Sequence, residues 1–469
     1  MRFDLICEKF GSDPAEQAHY AFDSITGRLW LDETTYLGLD AEGRIARLQG
    51  NIDDPVAEPG AGWTMDNPPG KAKGVKRLKI QMGMSCNFEC SYCSQRFVER
   101  PVQGNPEMVE PLLDGIQKNF DIPKYGDGLK VEFWGGEPFV YWKTMKPLAE
   151  KLRVLYPKAA FSVITNGSLL TRDIVDWLDA YGFSMSISHD GPGQHVRGPC
   201  PVEDGSEETK DAIRYAVEKM HRKGRGSFGS MLNRKNTSRV AIQKWFDERF
   251  GPGIQIGEGG LIDAYDDDGF ALSLTGKAEH FEFRRNSIKE LTGDYRFNFV
   301  SVNQRVQGFM AKIVENLPLR PEQQQKCGMD SPSSLAIDML GNILTCQNVS
   351  AVQDAPNGES HKIGHIDSLA EAKLHSATHW TERPHCRGCP VVPVCSGNCM
   401  FLQGDNWFKS CDSAYSDNIV MLCMAILQLT GYLPVFIDAP HLPDHRKDIW
   451  GTILEHPERK PFPIEVRAA

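Results

Sequence analysis

The sequence predicts an α/β protein that is built on a parallel sheet and is followed by a cysteine-rich second domain. Six apolar, strand-like runs alternate with five helical patterns between residues 77 and 256, and eight cysteines lie between Cys327 and Cys423. Parallel strands need crossover connections that are usually helical, so this alternation indicates βα units in series. Six units are fewer than the eight of a closed barrel, and a partial barrel and an open doubly wound sheet both fit.

The position of each strand and helix follows from hydrophobic periodicity. The predicted strands are Arg77–Gln81, Leu129–Phe133, Phe161–Ile164, Phe183–Ile187, Ser227–Leu232 and Ile254–Ile256. The predicted helices are Pro106–Phe120, Tyr141–Leu155, Arg172–Tyr181, Glu207–Arg222 and Ser238–Phe250. Pro106 suits the first turn of its helix, and Thr237 is predicted to cap the last of these helices. In either architecture we expect ligands at the carboxyl ends of the strands.

Motif positions and composition divide the chain into four regions. The first contains short strands such as Arg28–Asp32 and Thr35–Leu39, and no role follows for it from the sequence. The predicted regions are a β-rich N-terminal region (1–73), the βα units (74–300), the cysteine-rich domain (301–430) and a C-terminal extension (431–469).

Charge and hydropathy exclude two classes of function. The net charge of -10 argues against a nucleic-acid-binding surface. The uncharged stretch Ile419–Ile437 contains Gln428, Gly431 and Pro434. We therefore predict a buried helix that ends near Leu429 rather than a membrane span.

The 13 cysteines do not resemble a secreted disulfide framework, because their number is odd and the chain is long. Met1–Phe10 carries charges where a signal peptide would have an apolar segment. We therefore expect a cytoplasmic protein, in which clustered cysteines indicate metal binding or catalysis. Cys423 is predicted to lie in an apolar core, and Cys200, after a turn-rich segment, is a candidate for an exposed position.

A loop with three cysteines follows the first predicted strand. Cys86, Cys90 and Cys93 have the spacing C-x3-C-x2-C. Three thiolates on one short loop can bind one face of an iron–sulfur cubane and leave one iron open, which is typical of a reacting metal. Zinc is the alternative, but a structural zinc site needs four ligands, and Asn87 and Glu89 are poorly placed for a fourth bond.

Polar turns follow the next three predicted strands. They are Gly135–Pro138 (GGEP), Thr165–Gly167 (TNG) and Ser186–Pro192 (SISHDGP). Two glycines let the backbone approach a ligand closely, and a fixed carboxylate can pair with a cation. Each segment alone is most often an ordinary turn. Their shared position at strand ends nevertheless indicates a ligand pocket.

The cysteine loop and these turns resemble the radical S-adenosylmethionine (SAM) superfamily over roughly residues 75–260. The resemblance implies a partial (β/α)6 TIM-like barrel, with SAM bound beside a 4Fe-4S cluster on Cys86, Cys90 and Cys93. It also implies SAM contacts for Tyr92, Gly135, Gly136, Glu137, Thr165, Asn166, Ser188 and Asn233. His189 departs from the family pattern, in which an apolar residue is more usual.

A second cysteine pattern lies downstream. It consists of Cys327, then Gly341 and Cys346 in a G-x4-C element, then Cys386-x2-Cys389-x5-Cys395-x3-Cys399, and finally Cys411. A pair of zinc-ribbon sites is the alternative, although C-x5-C-x3-C is not a ribbon spacing. The pattern resembles the SPASM domain of radical enzymes that modify peptides and proteins.

The SPASM resemblance implies two auxiliary iron–sulfur clusters. An inner set, Cys327, Cys346 and Cys399, would hold auxiliary cluster I. An outer set, Cys386, Cys389, Cys395 and Cys411, would hold auxiliary cluster II. Some relatives have a further cysteine just upstream, where Glu322–Gln325 has none. Auxiliary cluster I could therefore have an open iron, a non-cysteine ligand or fewer irons, and one hypothesis is that an open iron binds a substrate thiolate.

The two resemblances together imply an enzyme that cleaves SAM reductively to a 5′-deoxyadenosyl radical and oxidatively modifies a residue of a peptide or protein. A thioether or carbon–carbon crosslink is an example of the expected product. The expected partners are that substrate and an electron donor such as flavodoxin or ferredoxin. A radical enzyme that acts on a small metabolite is an alternative. A non-catalytic electron carrier is the least favoured alternative, because the GGEP and TNG turns would have no role in it.

A formylglycine-forming sulfatase maturase is a further alternative. In that group an acidic residue directly follows the cysteine of the G-x4-C element and serves as a base. Here Gln347 occupies the position, and its amide cannot accept a proton at neutral pH. Asp190 and Glu258 are the catalytic candidates, and Asp263 could also supply a base.

Overall fold

The computed structural model describes residues 1–12, 16–96, 98–99, 103–257, 260–263, 265–295 and 298–450. Within these residues the strands are β1 (Arg2–Lys9), β2 (Gln17–Asp23), β3 (Leu29–Trp30), β4 (Thr35–Leu39), β5 (Ile45–Gln49), β6 (Arg77–Gln81), β7 (Lys130–Trp134), β8 (Ala160–Thr165), β9 (Phe183–Ser188), β10 (Gly226–Gly229), β11 (Ser334–Asp338), β12 (Asn342–Leu344), β13 (Lys362–His365) and β14 (Tyr432–Asp438).

The α-helices of the same part of the chain are α1 (Val109–Asn119), α2 (Trp142–Leu155), α3 (Arg172–Ala180), α4 (Glu207–Lys219), α5 (Arg239–Phe250), α6 (Asp267–Phe270), α7 (Lys277–Thr292), α8 (Val300–Val314), α9 (Val392–Cys395), α10 (Gly404–Thr430) and α11 (Asp444–Lys447). Short 3₁₀ turns, such as Pro106–Met108 before α1, precede several of them.

The larger sheet has the order β10-β9-β8-β7-β6-β11-β12-β13, and the pairs from β10 to β11 are parallel. From β6 to β10 the strands follow one another in chain order, without the reversal that defines a doubly wound sheet. This order confirms the partial-barrel prediction. Helices α1 to α5 connect or follow these strands, as the alternation of patterns predicts.

Most predicted elements agree with the structure to within one to three residues. The exception is the last predicted strand, because Ile256 forms only isolated parallel bridges to Phe228 and Phe299. The predicted cap of α5 is also wrong. Its N-cap is Ser238 rather than Thr237, and the Ser238 hydroxyl accepts from the backbone N–H of Ala241.

Two pairings join distant parts of the chain. β11, from the cysteine-rich region, pairs in parallel with β6 and so extends the barrel sheet. β14, near the C-terminal end of the described residues, pairs antiparallel with β1. The second sheet therefore has the order β14-β1-β2-β3-β4-β5. It combines strands from the predicted N-terminal region and the predicted C-terminal extension.

The long helix α10 packs against α7, α8 and β14 and is buried over most of its length. Its segment Ile419–Leu427 belongs to the core, which confirms the predicted buried helix. Within the described residues no helix combines the length and apolar character needed to cross a membrane. Cys423 lies in this helix at 1% exposure, as predicted for a core residue.

A buried ionic network fixes α10 to the barrel. Asp417 of α10 accepts from Arg239 of α5 at 2.6 Å and from Arg305 of α8 at 2.5 Å. Burial acts to raise the pKa of Asp417, but the two guanidinium groups outweigh it and lower that pKa to about 2. The stability that this carboxylate contributes is therefore present above its ordinary pKa and is lost as the pH falls towards 2.

We expect Asp417→Asn to lower the free energy of unfolding by about 3–5 kcal/mol, because it removes the buried carboxylate that pairs with both guanidinium groups. Urea denaturation monitored by circular dichroism measures this change. The matched control is Asp211→Asn, which removes the exposed partner of Arg172 and should cost less than about 1 kcal/mol. Equal losses in the two variants would contradict the role given to Asp417.

Candidate functional site

A cavity of about 340 Å³ opens at the carboxyl ends of β6 to β9. The residues that follow each of these strands supply its walls. The lining includes Cys86, Cys90, Tyr92 and Cys93 after β6, Trp134 to Glu137 at the end of β7, Ile164 to Asn166 at the end of β8, Ser188 of β9, and Gln95, Arg96, Arg197, Met231, Ile262, Asp263, Tyr265 and Asn348 from farther along the chain. The volume lies in the usual range of small-ligand pockets.

The three-cysteine loop is held by bonds to its sulfur atoms and its backbone. In Cys86 and Cys93 the sulfur accepts from the backbone N–H two residues on, at 3.4 Å in each case. Asn166 Nδ2 lies 3.9 Å from Cys86 Sγ. The backbone N–H of Ser91 donates to Val196 O at 2.9 Å, which ties the loop to the segment after β9. The structure thus brings the three predicted thiols to one wall of the cavity.

Glu137 joins the ends of neighbouring strands. The side chain is 1% exposed. Its carboxylate accepts from Thr165 Oγ1 at 2.8 Å, from the backbone N–H of Asn166 at 2.7 Å and from that of Phe139 at 3.1 Å. Burial raises the pKa of Glu137 to about 6, against the effect of these hydrogen bonds. One lone pair of Oε2 is left for a ligand at the cavity wall.

Tyr92 and Arg197 form a buried network with Asp190 at the base of the cysteine loop. Tyr92 Oη donates a short hydrogen bond to Asp190, and Arg197 Nη1 donates to Tyr92 Oη at 2.7 Å. Asp190 Oδ1 accepts from the backbone N–H of Met231 at 3.0 Å. Burial raises the pKa of the Cys90 thiol to about 12, and the Arg197 charge opposes that rise. Asp190 is 0% exposed and does not line the cavity.

His189, which departs from the family pattern, forms a buried hydrogen bond with Cys200. Its Nδ1 accepts from the backbone N–H of Gly191 at 3.0 Å. The neutral ring therefore carries its hydrogen on Nε2, which donates to Cys200 Sγ at 3.2 Å. Burial lowers the pKa of His189 to about 3. The expectation of an exposed Cys200 is wrong, since this thiol is 6% exposed and fills the partner position of a buried imidazole.

The inner set of cysteines is also brought together. Burial raises the pKa of the Cys399 thiol to about 12, and Asp263 and Cys327 add to that rise. The pKa of Cys346 is raised first by burial and then by Cys399 and Cys327. Cys346 therefore lies within electrostatic range of Cys399 and Cys327, and Cys399 lies within range of Cys327. Lys79 of β6 supplies a nearby positive charge to Cys346.

Asp263 and Tyr265 connect the inner set with the cavity, which both residues line. Tyr265 Oη donates to Cys399 Sγ at 3.8 Å. Asp263 Oδ1 accepts from Nδ2 of Asn398, the residue before Cys399, at 2.7 Å. The ring of Tyr265 stacks on Phe401 with centroids 5.6 Å apart. Sequence reasoning missed Tyr265, and nothing in its local sequence marks it.

The outer set lines a separate internal cavity, together with Trp407 and Tyr415. All four cysteines of this set contribute to the wall. Burial raises the pKa of Cys389 to about 12 and that of Cys395 to about 11, and the neighbouring Cys411 adds to both. Arg446 Nη2 lies 3.4 Å from Cys411 Sγ. Four soft donors around one buried space suit an iron–sulfur cluster.

Arg383 lies between the two sets of thiols. Burial lowers its pKa to about 10, and Cys386 of the outer set and Cys399 of the inner set oppose that fall. Its Nη2 donates to Met400 O at 2.8 Å.

Among the described residues no group of three or more His, Cys, Asp or Glu side chains is arranged to hold a single metal ion.

The remaining predicted residues divide into three groups. Gly135, Gly136, Thr165, Asn166 and Ser188, which are predicted SAM contacts, line the cavity. Asn233 is 0% exposed and is not among the lining residues. Glu258 lies outside the described residues. Sequence reasoning missed Trp134 and Arg197, although Trp134 directly precedes the GGEP turn.

The protein is an α/β partial barrel that places three cysteines and glycine-rich turns at the carboxyl ends of its strands. Residues 80–237 match the family model of the radical SAM superfamily. The radical SAM cyclopropyl synthase TigE of Paramaledivibacter caminithermalis is 20% identical over 343 residues, which are 70% of this chain and 68% of that protein. The matched segment contains the cysteine loop and the turns after β7 to β9, so this part of the chain is similar to the radical SAM superfamily.

Solved structures show the same fold. Native anSMEcpe with bound AdoMet (SAM) has a TM-score of 0.54 and 17% identity, over 74% of this chain and 97% of that chain. Native anSMEcpe with bound AdoMet and Cp18Cys peptide has a TM-score of 0.52 and 18% identity, over 74% of this chain and 97% of that chain.

We expect Gly136→Ala to lower the thermal unfolding midpoint and the yield of folded protein. A Cβ at this position would lie 2.3 Å from Ser85 O and 2.6 Å from Met84 O, and such overpacking costs about 1–3 kcal/mol or more. Gly74→Ala is the matched control, because a Cβ there meets nothing within 4 Å. Differential scanning fluorimetry compares the two. An unchanged midpoint for Gly136→Ala would show that the turn can move away from the cysteine loop without cost.

Proposed function

We propose that the protein cleaves SAM reductively and uses the radical to oxidise a residue of a peptide or protein, forming a crosslink such as a thioether or carbon–carbon bond. The observation that carries this proposal is the cavity itself. The three-cysteine loop and the turns after β7 to β9 form one wall, and residues next to the inner set form another. A cosubstrate and a second molecule can therefore meet between two groups of thiols.

The residues present fit the cofactors of the superfamily. Cys86, Cys90 and Cys93 would hold the 4Fe-4S cluster, and three thiolates leave one of its irons open. When bound, this cluster and SAM supply a 5′-deoxyadenosyl radical. Glu137, with its remaining lone pair, would accept from the SAM ammonium, and Asn166 and Ser188 offer polar groups to the rest of the molecule.

The auxiliary thiols would hold two further clusters. The outer set lines one cavity and supplies four ligands. The inner set would supply three ligands, and Glu322–Gln325 contains no cysteine that could supply a fourth.

A peptide substrate is favoured over a small metabolite by the similarities. The anSMEcpe structure contains a bound peptide, and TigE is named as a cyclopropyl synthase, which makes carbon–carbon bonds. We infer a net oxidation because the cavity adjoins the inner set. The cavity-lining Tyr265 donates to Cys399, and the cavity-lining Asp263 accepts from Asn398, the residue before Cys399. The electron donor would be a carrier such as flavodoxin or ferredoxin.

Asp263 is the carboxylate best placed to accept a proton from the substrate. It lines the cavity and keeps one oxygen outside its bond to Asn398. Asp190 is buried and bonded to Tyr92, Arg197 and Met231. Asp263 therefore takes the role that Gln347 cannot fill.

We expect the purified, iron-loaded protein to release 5′-deoxyadenosine from SAM under anaerobic conditions with dithionite. Cys93→Ala should abolish this release and lower the iron content by about four atoms per chain. Cys423→Ala, which removes a buried thiol of α10 outside the three sets, is the matched control and should retain both. Liquid chromatography measures the nucleoside. No release from fully loaded wild-type protein would falsify the proposed function.

We expect Asp263→Asn to separate SAM cleavage from product formation. The variant should still release 5′-deoxyadenosine, but the yield of modified peptide should fall by about 100-fold or more because the general base is lost. Mass spectrometry of a co-expressed candidate peptide measures the loss of two hydrogen atoms per modification. Asp263→Glu should restore part of the yield. Equal product-to-nucleoside ratios in Asp263→Asn and wild type would exclude Asp263 as the base.

A further inference from the structure

A second cavity, of about 250 Å³, lies at the surface beside the outer set. Cys389 lines both this surface cavity and the internal cavity of the outer set. The wall between the outer thiols and solvent is therefore thin at this residue. The other polar and charged side chains at this surface cavity come from a short set of residues, together with the backbone of one glycine. They are His385, Arg387, Gly388, His441 and Arg446.

The lining of this surface cavity is rich in basic side chains. Its lining contains two arginines, two histidines and no carboxylate, whereas the chain has a net charge of -10. Arg446 is buried and paired with Asp412 at 2.6 Å, so its charge is balanced. Arg387 instead donates to Thr381 O at 3.1 Å and to Pro59 O at 3.3 Å. In the described part of the chain no carboxylate pairs with Arg387.

An exposed aromatic side chain adjoins the same cavity. Phe408 of α10 is 41% exposed, and its ring centroid lies 5.8 Å from that of His385. His441 is exposed as well, and its Nε2 donates to Gly388 O at 2.8 Å, which fixes the rim. An apolar anchor beside a cationic rim is typical of a protein-binding surface.

We propose that this surface, formed by His385, Arg387, Gly388, His441 and Phe408, is the docking site of an acidic one-electron carrier protein. The uncompensated cation and the absence of carboxylates in the cavity lining select an acidic partner. The position of Cys389 selects a partner that exchanges electrons with the outer set. Interfaces of this kind are small and short-lived, so one shallow cavity with one apolar anchor is sufficient.

The inference rests on the proposed function, because it requires a cluster on the outer set. When the carrier is the donor, it loses one electron and the outer cluster gains one, and no bond forms or breaks. Salt should weaken the encounter, since the attraction between the Arg387 rim and an acidic surface is screened within about 8–10 Å at physiological ionic strength.

Titration of purified flavodoxin, an acidic carrier, against the iron-loaded enzyme tests the proposal by isothermal calorimetry at low ionic strength. We expect Arg387→Glu to weaken binding by about tenfold, because it places like charges at the rim. Phe408→Ala should weaken it as well, and Arg387→Lys, which keeps the charge, should weaken it less. Lys118→Glu is the control, since Lys118 is an exposed cation on α1 outside this surface.

Release of 5′-deoxyadenosine separates this inference from the proposed function. With dithionite, Arg387→Glu and Phe408→Ala should match wild type, whereas with reduced flavodoxin they should be slower. Equal flavodoxin affinity for wild type, Arg387→Glu and Phe408→Ala, or an equal loss in Lys118→Glu, would overturn the docking site alone. Failure of wild-type release with dithionite would instead overturn the proposed function, whatever the binding result.

Discussion

The close approach of the Gly135–Glu137 turn to the backbone after β6 is the contact on which the rest of the site depends. The N–H of Gly136 donates to Gly83 O at 3.0 Å, and the N–H of Glu137 donates to Ser85 O at 2.9 Å. These bonds need a residue without a Cβ at 136. The Glu137 carboxylate then reaches β8, and its burial is offset by the hydrogen bonds it accepts. Three strand ends are thereby fixed before any ligand binds.

The second constraint is the parallel pairing of β11 with β6. The register sets Asp338 opposite Gln81, so the β11–β12 hairpin extends the sheet on which the cysteine loop is mounted. Gln81 Nε2 donates to Gln347 O at 2.8 Å and to Val349 O at 2.9 Å. These bonds hold the segment after Cys346 against the strand that precedes the first cysteine loop. Cys346 of the inner set therefore packs near β6, although about 260 residues separate the two in sequence.

Features with local causes could be predicted from the sequence, and features with distant causes could not. The strand Arg77–Gln81 and the glycine-rich turns could be predicted, because hydrophobic periodicity and backbone freedom act within a few residues. The β6–β11 pairing has no local signal, since β11 could pair with either sheet edge. Tyr265 and Arg197 reach the cavity only after the chain has folded around it. Neither residue type is unusual for its position, so only tertiary structure distinguishes them.

Under the proposed function, Asp263 and Tyr265 would let an oxidation proceed without an acid beside Cys346. Loss of a hydrogen atom, a proton and an electron from a substrate requires an acceptor for each. Asp263 offers a carboxylate to the cavity and is bonded to Asn398, whereas Tyr265 is bonded to Cys399 itself. A hydrogen bond to a thiolate stabilises the reduced state of a cluster and so favours electron acceptance. The proton acceptor, Asp263, and the electron acceptor at Cys399 would then lie close together, and a carboxylate at position 347 would not be needed.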